Sequence, residues 1–444
     1  RPPRSTLSSS SAASDVYKRQ HFHSVERSVQ IEGDDVDGLQ TDIAVDDDGT
    51  IHMAWIAQEV VSPVATPVYY VRYARSEDSG RTFSSSVSVS GSLRFDLLTV
   101  NVAGISSGFS TLDLEIDSRG NPRVVYAMNH SPDGHTAGFT GSGDADNVYF
   151  NYSQTGGASW LPANSAVVVN DTVTTGNVQG RASAFPRMVV DQRDNVFISY
   201  VRGSSQGTGN DDVMLAKVDR SMTPFDMEFI GSLGTAGSSG GIRISPEGGR
   251  HSGPDLAVGT GDVLHLLYLN DASDDIEHKT LLADAWNTTG SGGWNQSASG
   301  ADVDDFIDEA TVAAIESDAH FFFPTIVVDK QSSPNQVYAV YKFGDGTFET
   351  VALNRYTYDN AIGGSAGWNT AAATPVWSTA TSPLFSDGNQ AYNIELEWTH
   401  TERVSAVIDD RLPERGELHI AFSAGYSSGG EHDIYYGYYN GCLL

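Results

Sequence analysis

Residues 42–55, which read DIAVDDDGTIHMAW, set the pattern on which the fold depends. A short run of alternating apolar residues ends in Val-Asp, a turn rich in Asp and Gly follows, and a second run ends in an aromatic residue. Asp and Gly suit such a turn because they supply side-chain acceptors and tolerate positive φ. The stretch therefore predicts a β-hairpin.

The same pattern recurs five more times along the chain. The six hairpins are predicted at 42–55, 113–126, 187–200, 255–268, 325–341 and 405–422. Their first turn residues (46, 117, 191, 259, 329 and 409) follow one another at intervals of 68 to 80 residues. Third strands are predicted at 69–76, 147–154, 212–219, 275–282, 350–357 and 433–440, and fourth strands after a further turn, as at 85–89 and 166–169. Four antiparallel strands in each repeat of about 70 residues are typical of one propeller blade.

The repeats predict an all-β fold, a six-bladed β-propeller of four-stranded antiparallel blades that forms a single domain over residues 21–441. The expected blades are approximately 38–95, 108–170, 183–233, 250–300, 320–378 and 402–441. Residues 27–32 precede the first hairpin without a blade of their own, so we expect them to close the ring as the missing strand of the last blade. One amphipathic helix is expected at 303–317.

The two ends of the chain differ from the repeats. Residues 7–20 read LSSSSAASDVYKRQ and resemble translated sequencing-adaptor read-through at the ends of metagenomic fragments, so 1–20 and 442–444 are expected to be non-native or disordered tails. No signal peptide and no apolar run long enough to span a membrane is visible. A secreted or cell-surface protein whose leader has been lost from the fragment is the expectation.

Composition narrows the classes of partner. The formal net charge is −31, from 26 Lys and Arg against 57 Asp and Glu, and this disfavours nucleic acid because phosphate contacts need clustered basic residues. An acidic, Lys-poor surface suits a marine or saline habitat. Cys442 is the single cysteine, so an intrachain disulfide is excluded. We expect a monomer.

Residues 76–83, SEDSGRTF, lie between the third and fourth strands of the first repeat. They match S-x-D-x-G-x-T-[WF] and therefore resemble the Asp-box of sialidase-like (BNR-repeat) propellers; degenerate copies stand at 153–160 (SQTGGASW), 292–294 and 367–368. The resemblance implies structural roles for Ser76, Asp78, Gly80 and Phe83. A true sialidase would also carry Arg-Ile-Pro before its first box, three arginines and a Tyr/Glu nucleophile pair. Nothing of that kind precedes Ser76, and so a sialidase is the less favoured interpretation.

Candidate functional residues are those expected at the central funnel of the propeller, at the starts of first strands and after second strands. We predict catalytic roles for His130, Arg187, Tyr200, Arg202 and His251, and substrate binding by Tyr268, Asn270, His320 and Lys342. Arg can neutralise a uronate carboxylate while His or Tyr acts as base and acid. The set is loosely similar to that of propeller polysaccharide lyases, including those that act on ulvan. By contrast, His52, His265 and His419 share one repeat position and are expected to pack the blades.

Other functions remain open. Asp42, Asp113 and Asp255 could hydrolyse a glycosidic bond as a carboxylate pair, although their shared repeat position favours a structural role. No metal or other cofactor is certain; Ca²⁺ would suit the carboxylates of 34–38 and 46–49, where ordinary turns are favoured. A carbohydrate-binding or adhesion propeller is the non-catalytic alternative. Candidate residues that differ between blades favour one specialised site, so a lyase or glycosidase acting on a polysaccharide is slightly preferred to a binding module.

Overall fold

The computed structural model describes nineteen segments of the chain. They are residues 37–60, 67–95, 111–130, 145–170, 183–203, 211–218, 227–228, 242–245, 251–270, 275–282, 295–296, 324–329, 335–344, 349–358, 367–368, 374–378, 405–409, 417–425 and 432–440. Every regular element in these segments is a β-strand, and the strands pair antiparallel in six sheets. No helix among them is long and apolar enough to cross a membrane.

The six sheets follow the chain in six consecutive repeats. Repeat 1 holds β1 (Asp37–Val45), β2 (Ile51–Val60), β3 (Pro67–Ser76) and β4 (Val87–Ser88). Repeat 2 holds β5 (Leu112–Ile116), β6 (Pro122–His130), β7 (Ala145–Ser153), β8 (Trp160–Leu161) and β9 (Val167–Val168). Repeat 3 holds β10 (Ser183–Val190), β11 (Val196–Arg202), β12 (Asp212–Val218), β13 (Met227–Glu228) and β14 (Ile242–Arg243).

The second half of the chain repeats the arrangement. Repeat 4 holds β15 (His251–Val258), β16 (Val263–Asn270), β17 (Asp275–Leu282) and β18 (Asn295–Gln296). Repeat 5 holds β19 (Thr325–Asp329), β20 (Asn335–Gly344), β21 (Glu349–Tyr358), β22 (Gly367–Trp368) and β23 (Thr374–Ser378). Repeat 6 holds β24 (Ser405–Asp409), β25 (Glu417–Gly425) and β26 (His432–Asn440).

The antiparallel strands and their order agree with the sequence prediction. Each repeat begins with a hairpin whose second strand pairs with the third, and the predicted third strands lie within two residues of the observed ones. The hairpin registers are equivalent, since Asp42 faces Ala54 in repeat 1 and Asp255 faces Leu267 in repeat 4. The predicted helix at 303–317, the strand at 27–32, His320 and both tails lie outside the described residues.

Neighbouring sheets pack face to face, and this explains why their strands are apolar on both sides. One buried cluster joins repeats 1 and 2, another joins repeats 2 and 3, and a third joins repeats 3 and 4. The first strands β1, β5, β10, β15, β19 and β24 contact one another in that order. This is how blades follow one another in a propeller. The number of blades in the complete ring and its closure remain predictions.

The turn at 76–83 has the geometry that its sequence implies. The Thr82 amide donates to the Asp78 carboxylate at 2.8 Å, and the Gly80 amide, at φ +81°, donates to Ser76 Oγ at 2.9 Å. Hydrogen bonds from the Thr82 hydroxyl, the Thr82 amide and the Ser76 hydroxyl lower the pKa of Asp78 to about 2. Its carboxylate therefore caps the turn.

The degenerate turn at 153–160 keeps this geometry with a hydroxyl in place of the carboxylate. The Ser159 amide donates to Thr155 Oγ1 at 2.9 Å, and the Gly157 amide donates to Ser153 Oγ at 2.8 Å. Gly157 has φ +89°, and its Cα lies so close to Tyr73 that a β-carbon would overlap the tyrosine ring. The turn thus packs repeat 2 against repeat 1.

Candidate functional site

The repeated aspartates lie where the first strands of successive repeats meet. Each accepts a hydrogen bond from a backbone amide of the next repeat: Asp42 from Leu114 at 2.7 Å, Asp113 from Met188 at 2.6 Å and Asp255 from Ile326 at 2.9 Å. Because each carboxylate joins one repeat to the next, their regular spacing has a structural explanation. This structural role makes the three aspartates poor candidates for the two carboxylates of a glycoside hydrolase.

Arg187 occupies the same position in repeat 3 and forms ion pairs with two of these carboxylates. Its guanidinium lies 3.2 Å from Asp113 and 3.5 Å from Asp255, and its side chain is 22% exposed. Burial alone would lower the pKa of Arg187, but the surrounding carboxylates raise it. The structure thus places this predicted catalytic residue in an ion-pair network that joins repeats 2, 3 and 4.

Asp42, in repeat 1, carries a proton more readily than an ordinary aspartate. Burial, reinforced by the charge of Asp113 and a hydrogen bond to it, raises the pKa of Asp42 to about 7, although Arg187 and the Leu114 amide oppose the shift. The carboxyl group of Asp42 therefore keeps its proton up to near neutral pH.

A different polar cluster lies at the start of β15 and the end of β16. The Tyr268 hydroxyl donates to Glu277, which also accepts from the Asn270 side-chain amide at 2.9 Å and lies 3.4 Å from Lys279 Nζ. The His251 ring meets the Tyr268 ring edge to face, with 5.8 Å between centroids. His251, Tyr268, Glu277 and Lys279 are buried, and Asn270 is half-buried. Three of the predicted site residues therefore lie together here.

Repeat 3 fixes the orientation of His251. Its Nδ1 lies 2.9 Å from the Asp211 carbonyl oxygen, and its backbone amide donates to the same oxygen at 3.1 Å. A carbonyl can only accept, so Nδ1 carries the proton and the lone pair of the neutral ring is on Nε2. This tautomer suits a general base acting through Nε2.

Repeat 3 also contains Arg202, another of the predicted site residues. It ends β11 and forms an ion pair of 2.9 Å with Asp212, the first residue of β12, and both side chains are 15% exposed. Asp211 and Asp212 are adjacent, so one short segment holds His251 through its backbone and Arg202 through a side chain.

The other predicted residues are not brought into the cluster by the described contacts. Tyr200 is fully buried in the apolar cluster between repeats 2 and 3, with Met214 and Phe150. His130 ends β6 and Lys342 lies within β20, but the structure describes no side chain for either, and His320 lies outside the described residues. The apolar surroundings of Tyr200 favour a packing role for it, whereas the catalytic role of His130 stays a prediction.

Glu277 and Lys279 are not among the site residues predicted from the sequence. They lie on the third strand, whereas the candidate residues were drawn from the first strands and the loops after the second. Strand register could have found them, because Glu277 faces Tyr268 across the β16–β17 pair. The equivalent partners of Trp55, Tyr126 and Tyr200 are Arg72, Tyr149 and Met214, so of these four repeats only repeat 4 sets a carboxylate opposite its aromatic residue.

Repeat 4 also buries a pair of histidines. His265 Nδ1 lies 3.1 Å from His278 Nε2, and the rings are parallel with 5.3 Å between centroids. Burial lowers the pKa of His265 to about 3 and holds that of His278 well below its usual value. Both rings are therefore neutral at physiological pH and pack the interior, as predicted for His265.

The described residues also bear on the suggested calcium sites. Asp46 uses one carboxylate oxygen for the amides of Asp48 and Thr50, at 3.0 and 2.8 Å, and the other for His52 Nε2, at 3.2 Å. Within the described segments, no three His, Cys, Asp or Glu side chains are arranged to hold a metal ion. Residues 34–36 of the other suggested loop lie outside those segments.

Comparison with known proteins finds similarity in structure alone. The model is similar to the polysaccharide lyase Uly1, with 12% identity over 90% of this chain and 77% of the other and a TM-score of 0.44. It is similar to the intramolecular trans-sialidase from Ruminococcus gnavus, with 10% identity over 91% and 94% of the two chains and a TM-score of 0.44. It is similar to the α-L-arabinanase of Penicillium chrysogenum, with 11% identity over 91% and 93% and a TM-score of 0.43. No family model matches the chain, and no curated protein matches it significantly.

Proposed function

We propose that this chain is a secreted, six-bladed propeller enzyme that cleaves a polysaccharide at one end of repeats 3 and 4. This is the end at which β10 and β15 begin and β11 and β16 finish, and we call it the inner end. The observation that supports this most is the meeting of His251, Tyr268 and Glu277 in one buried cluster of repeat 4. A base with a fixed tautomer lies there beside a hydroxyl whose hydrogen bond is held by a carboxylate, and this combination suits proton transfer.

The chemistry that fits best is β-elimination from a uronate. His251 Nε2 takes the proton from the carbon next to the carboxylate, and the electron pair of that C–H bond forms the new C=C bond. The bond to the leaving glycosidic oxygen breaks, and Tyr268 donates its proton to that oxygen. Glu277 would hold the tyrosine hydroxyl in position, and Arg202 of repeat 3 would bind the substrate carboxylate.

The substrate must reach buried groups. His251 and Tyr268 are 1% and 0% exposed, whereas Arg202, Asp212 and Asn270 are half-buried. We therefore propose that the inner end of repeat 4 opens when substrate binds and closes around it, which excludes water during proton transfer.

A second candidate is retaining glycoside hydrolysis, which the Tyr268–Glu277 hydrogen bond favours. Glu277 would take the phenolic proton, and the tyrosine oxygen would attack the anomeric carbon as the bond to the leaving glycosidic oxygen breaks and that oxygen takes a proton from solvent. Water would then attack the anomeric carbon of the glycosyl-tyrosine, and the released tyrosine oxygen would regain the proton from Glu277. A sialidase would be expected to carry a Tyr/Glu pair of this kind. In this scheme His251 only orients the tyrosine ring.

The two candidates leave different products, so product analysis separates them. The purified chain is incubated with a panel of uronate-containing and neutral polysaccharides, and with sialyl-lactose. Elimination gives both unsaturated-uronate absorbance and new reducing ends, whereas hydrolysis gives reducing ends or free sialic acid without that absorbance. Retained polysaccharide binding with neither product would overturn the enzyme proposal and leave a carbohydrate-binding propeller.

A further inference from the structure

A row of three polar residues crosses the inner end of repeat 3. Ser183 of β10 faces Arg202 of β11, and Arg202 faces Asp212 of β12, so the three side chains lie on one face of the sheet. Directly opposed residues of an antiparallel sheet have neighbouring side chains. We call this set the Ser183–Arg202–Asp212 row.

Hydrogen-bond donors in this row are left unused. Arg202 contacts Asp212 through one terminal nitrogen, at 2.9 Å, while its buried Nε has no hydrogen-bond partner among the described residues. The hydroxyl of Ser183, which is fully buried, also has no partner among them. A guanidinium binds a carboxylate best through two parallel N–H donors, so the contact with Asp212 uses half of its capacity. Unsatisfied buried donors are unfavourable and mark a place where an acceptor belongs.

We propose that the Ser183–Arg202–Asp212 row is a binding site for one carboxylate group of an acidic sugar. The incoming carboxylate accepts from Arg202 Nε and a terminal nitrogen in the two-bond geometry, and it accepts from the Ser183 hydroxyl. Asp212 is the internal competitor for the same guanidinium. It keeps the arginine oriented in the free protein and weakens the binding of acidic sugars, so it sets how strongly the site prefers a charged sugar to a neutral one.

The identification of the ligand as a sugar acid rests on the proposed function, but the site itself is testable without turnover. The probes are polygalacturonate and neutral dextran, each cast into native gels at fixed ionic strength, with protein migration as the readout. Asp212→Asn keeps the size of the side chain and removes its charge. Asp47→Asn, in an exposed turn of repeat 1, makes the same change in net charge away from the row and is the control.

We expect Asp212→Asn to tighten binding of polygalacturonate about five- to tenfold, and Ser183→Ala and Arg202→Met to weaken it by at least as much. Binding of dextran should be unchanged in all variants, and Asp47→Asn should bind both polymers like the wild type. Equal affinity of Asp212→Asn and Asp47→Asn for polygalacturonate would overturn the proposal, as would unchanged binding by Ser183→Ala and Arg202→Met.

The same gels separate failure of this site from failure of the proposed function. Tyr268→Phe removes the proposed proton donor but changes none of the three residues of the row, so it should bind polygalacturonate like the wild type. If the row variants behave as expected while no polysaccharide is cleaved, the binding site stands and the enzyme proposal fails.

Discussion

Replacing Asp42 by Asn should stabilise the protein at neutral and alkaline pH. In the fold the pKa of Asp42 is raised to about 7 by burial and by Asp113, whereas an unperturbed aspartate has the value 3.8. The folded state therefore binds this proton more tightly than the unfolded state. Stability from Asp42 is complete below pH 3.8 and falls as the pH rises from 3.8 through 7.

The size of the effect follows from the shift. A difference of about three pKa units at about 1.4 kcal/mol each gives at most about 4 kcal/mol of lost stability above pH 7. An asparagine reproduces the protonated form, because its carbonyl oxygen accepts from the Leu114 amide and its NH₂ group donates to Asp113. Asp42→Asn should therefore gain up to about 4 kcal/mol at pH 8 and almost nothing at pH 4.

Urea unfolding of wild type and variant at pH 4, 6 and 8 measures this gain. Asp47→Asn serves as the control for net charge, and its stability should follow that of the wild type at every pH. An Asp42→Asn variant that is no more stable than the wild type at pH 8, or that gains as much stability at pH 4 as at pH 8, would contradict this role of Asp42.

Three further predictions concern packing and turns. Thr155→Asp gives the 153–160 turn the carboxylate that Asp78 supplies in the 76–83 turn, and it should raise the free energy of unfolding by about 1 kcal/mol. Gln154→Asp adds the same charge beside that position and should not raise it. Thermal unfolding of the two variants measures the difference. Gly157→Ala places a β-carbon into the ring of Tyr73 and should lower the free energy of unfolding, measured with urea, by about 3 kcal/mol or more. Gly49→Ala is the control, because Gly49 also has a positive φ but has open space around it, and it should cost about 1 to 2 kcal/mol. His265 stays neutral in the folded protein at pH values where the same side chain takes up a proton in the unfolded chain. Between pH 6.5 and pH 4 the free energy of unfolding of the wild type should therefore fall by up to about 3 kcal/mol more than that of His265→Gln. Equal falls for the two proteins in urea unfolding across this pH range would contradict the prediction.

Much of the strand order could be predicted from the sequence because the signal is local and repeated. An Asp-rich turn between two apolar runs fixes a hairpin, and its recurrence fixes where the next one begins. The turn at 153–160 was predicted from degenerate letters, and the hydroxyl of Thr155 indeed occupies the position of the Asp78 carboxylate. Such features depend on residues close together in the chain.

The site was predicted less well because it depends on contacts between strands and between repeats. Tyr200 and Tyr268 occupy the same repeat position, and only the third strand distinguishes them, with Met214 opposite one and Glu277 opposite the other. Arg187 was expected to face a substrate, but two aspartates from neighbouring repeats engage it. No spacing within one repeat shows such partners.

In the proposed function, Tyr268 and His251 of repeat 4 carry out the proton transfers. The most direct test compares the turnover of Tyr268→Phe and Tyr200→Phe on whichever polysaccharide the wild type cleaves, with circular dichroism to confirm that both variants fold. Both substitutions remove one buried hydroxyl at equivalent positions. We expect a loss of about a hundredfold or more for Tyr268→Phe and a change within about twofold for Tyr200→Phe. Equal losses, or full activity of Tyr268→Phe, would contradict a catalytic role for Tyr268.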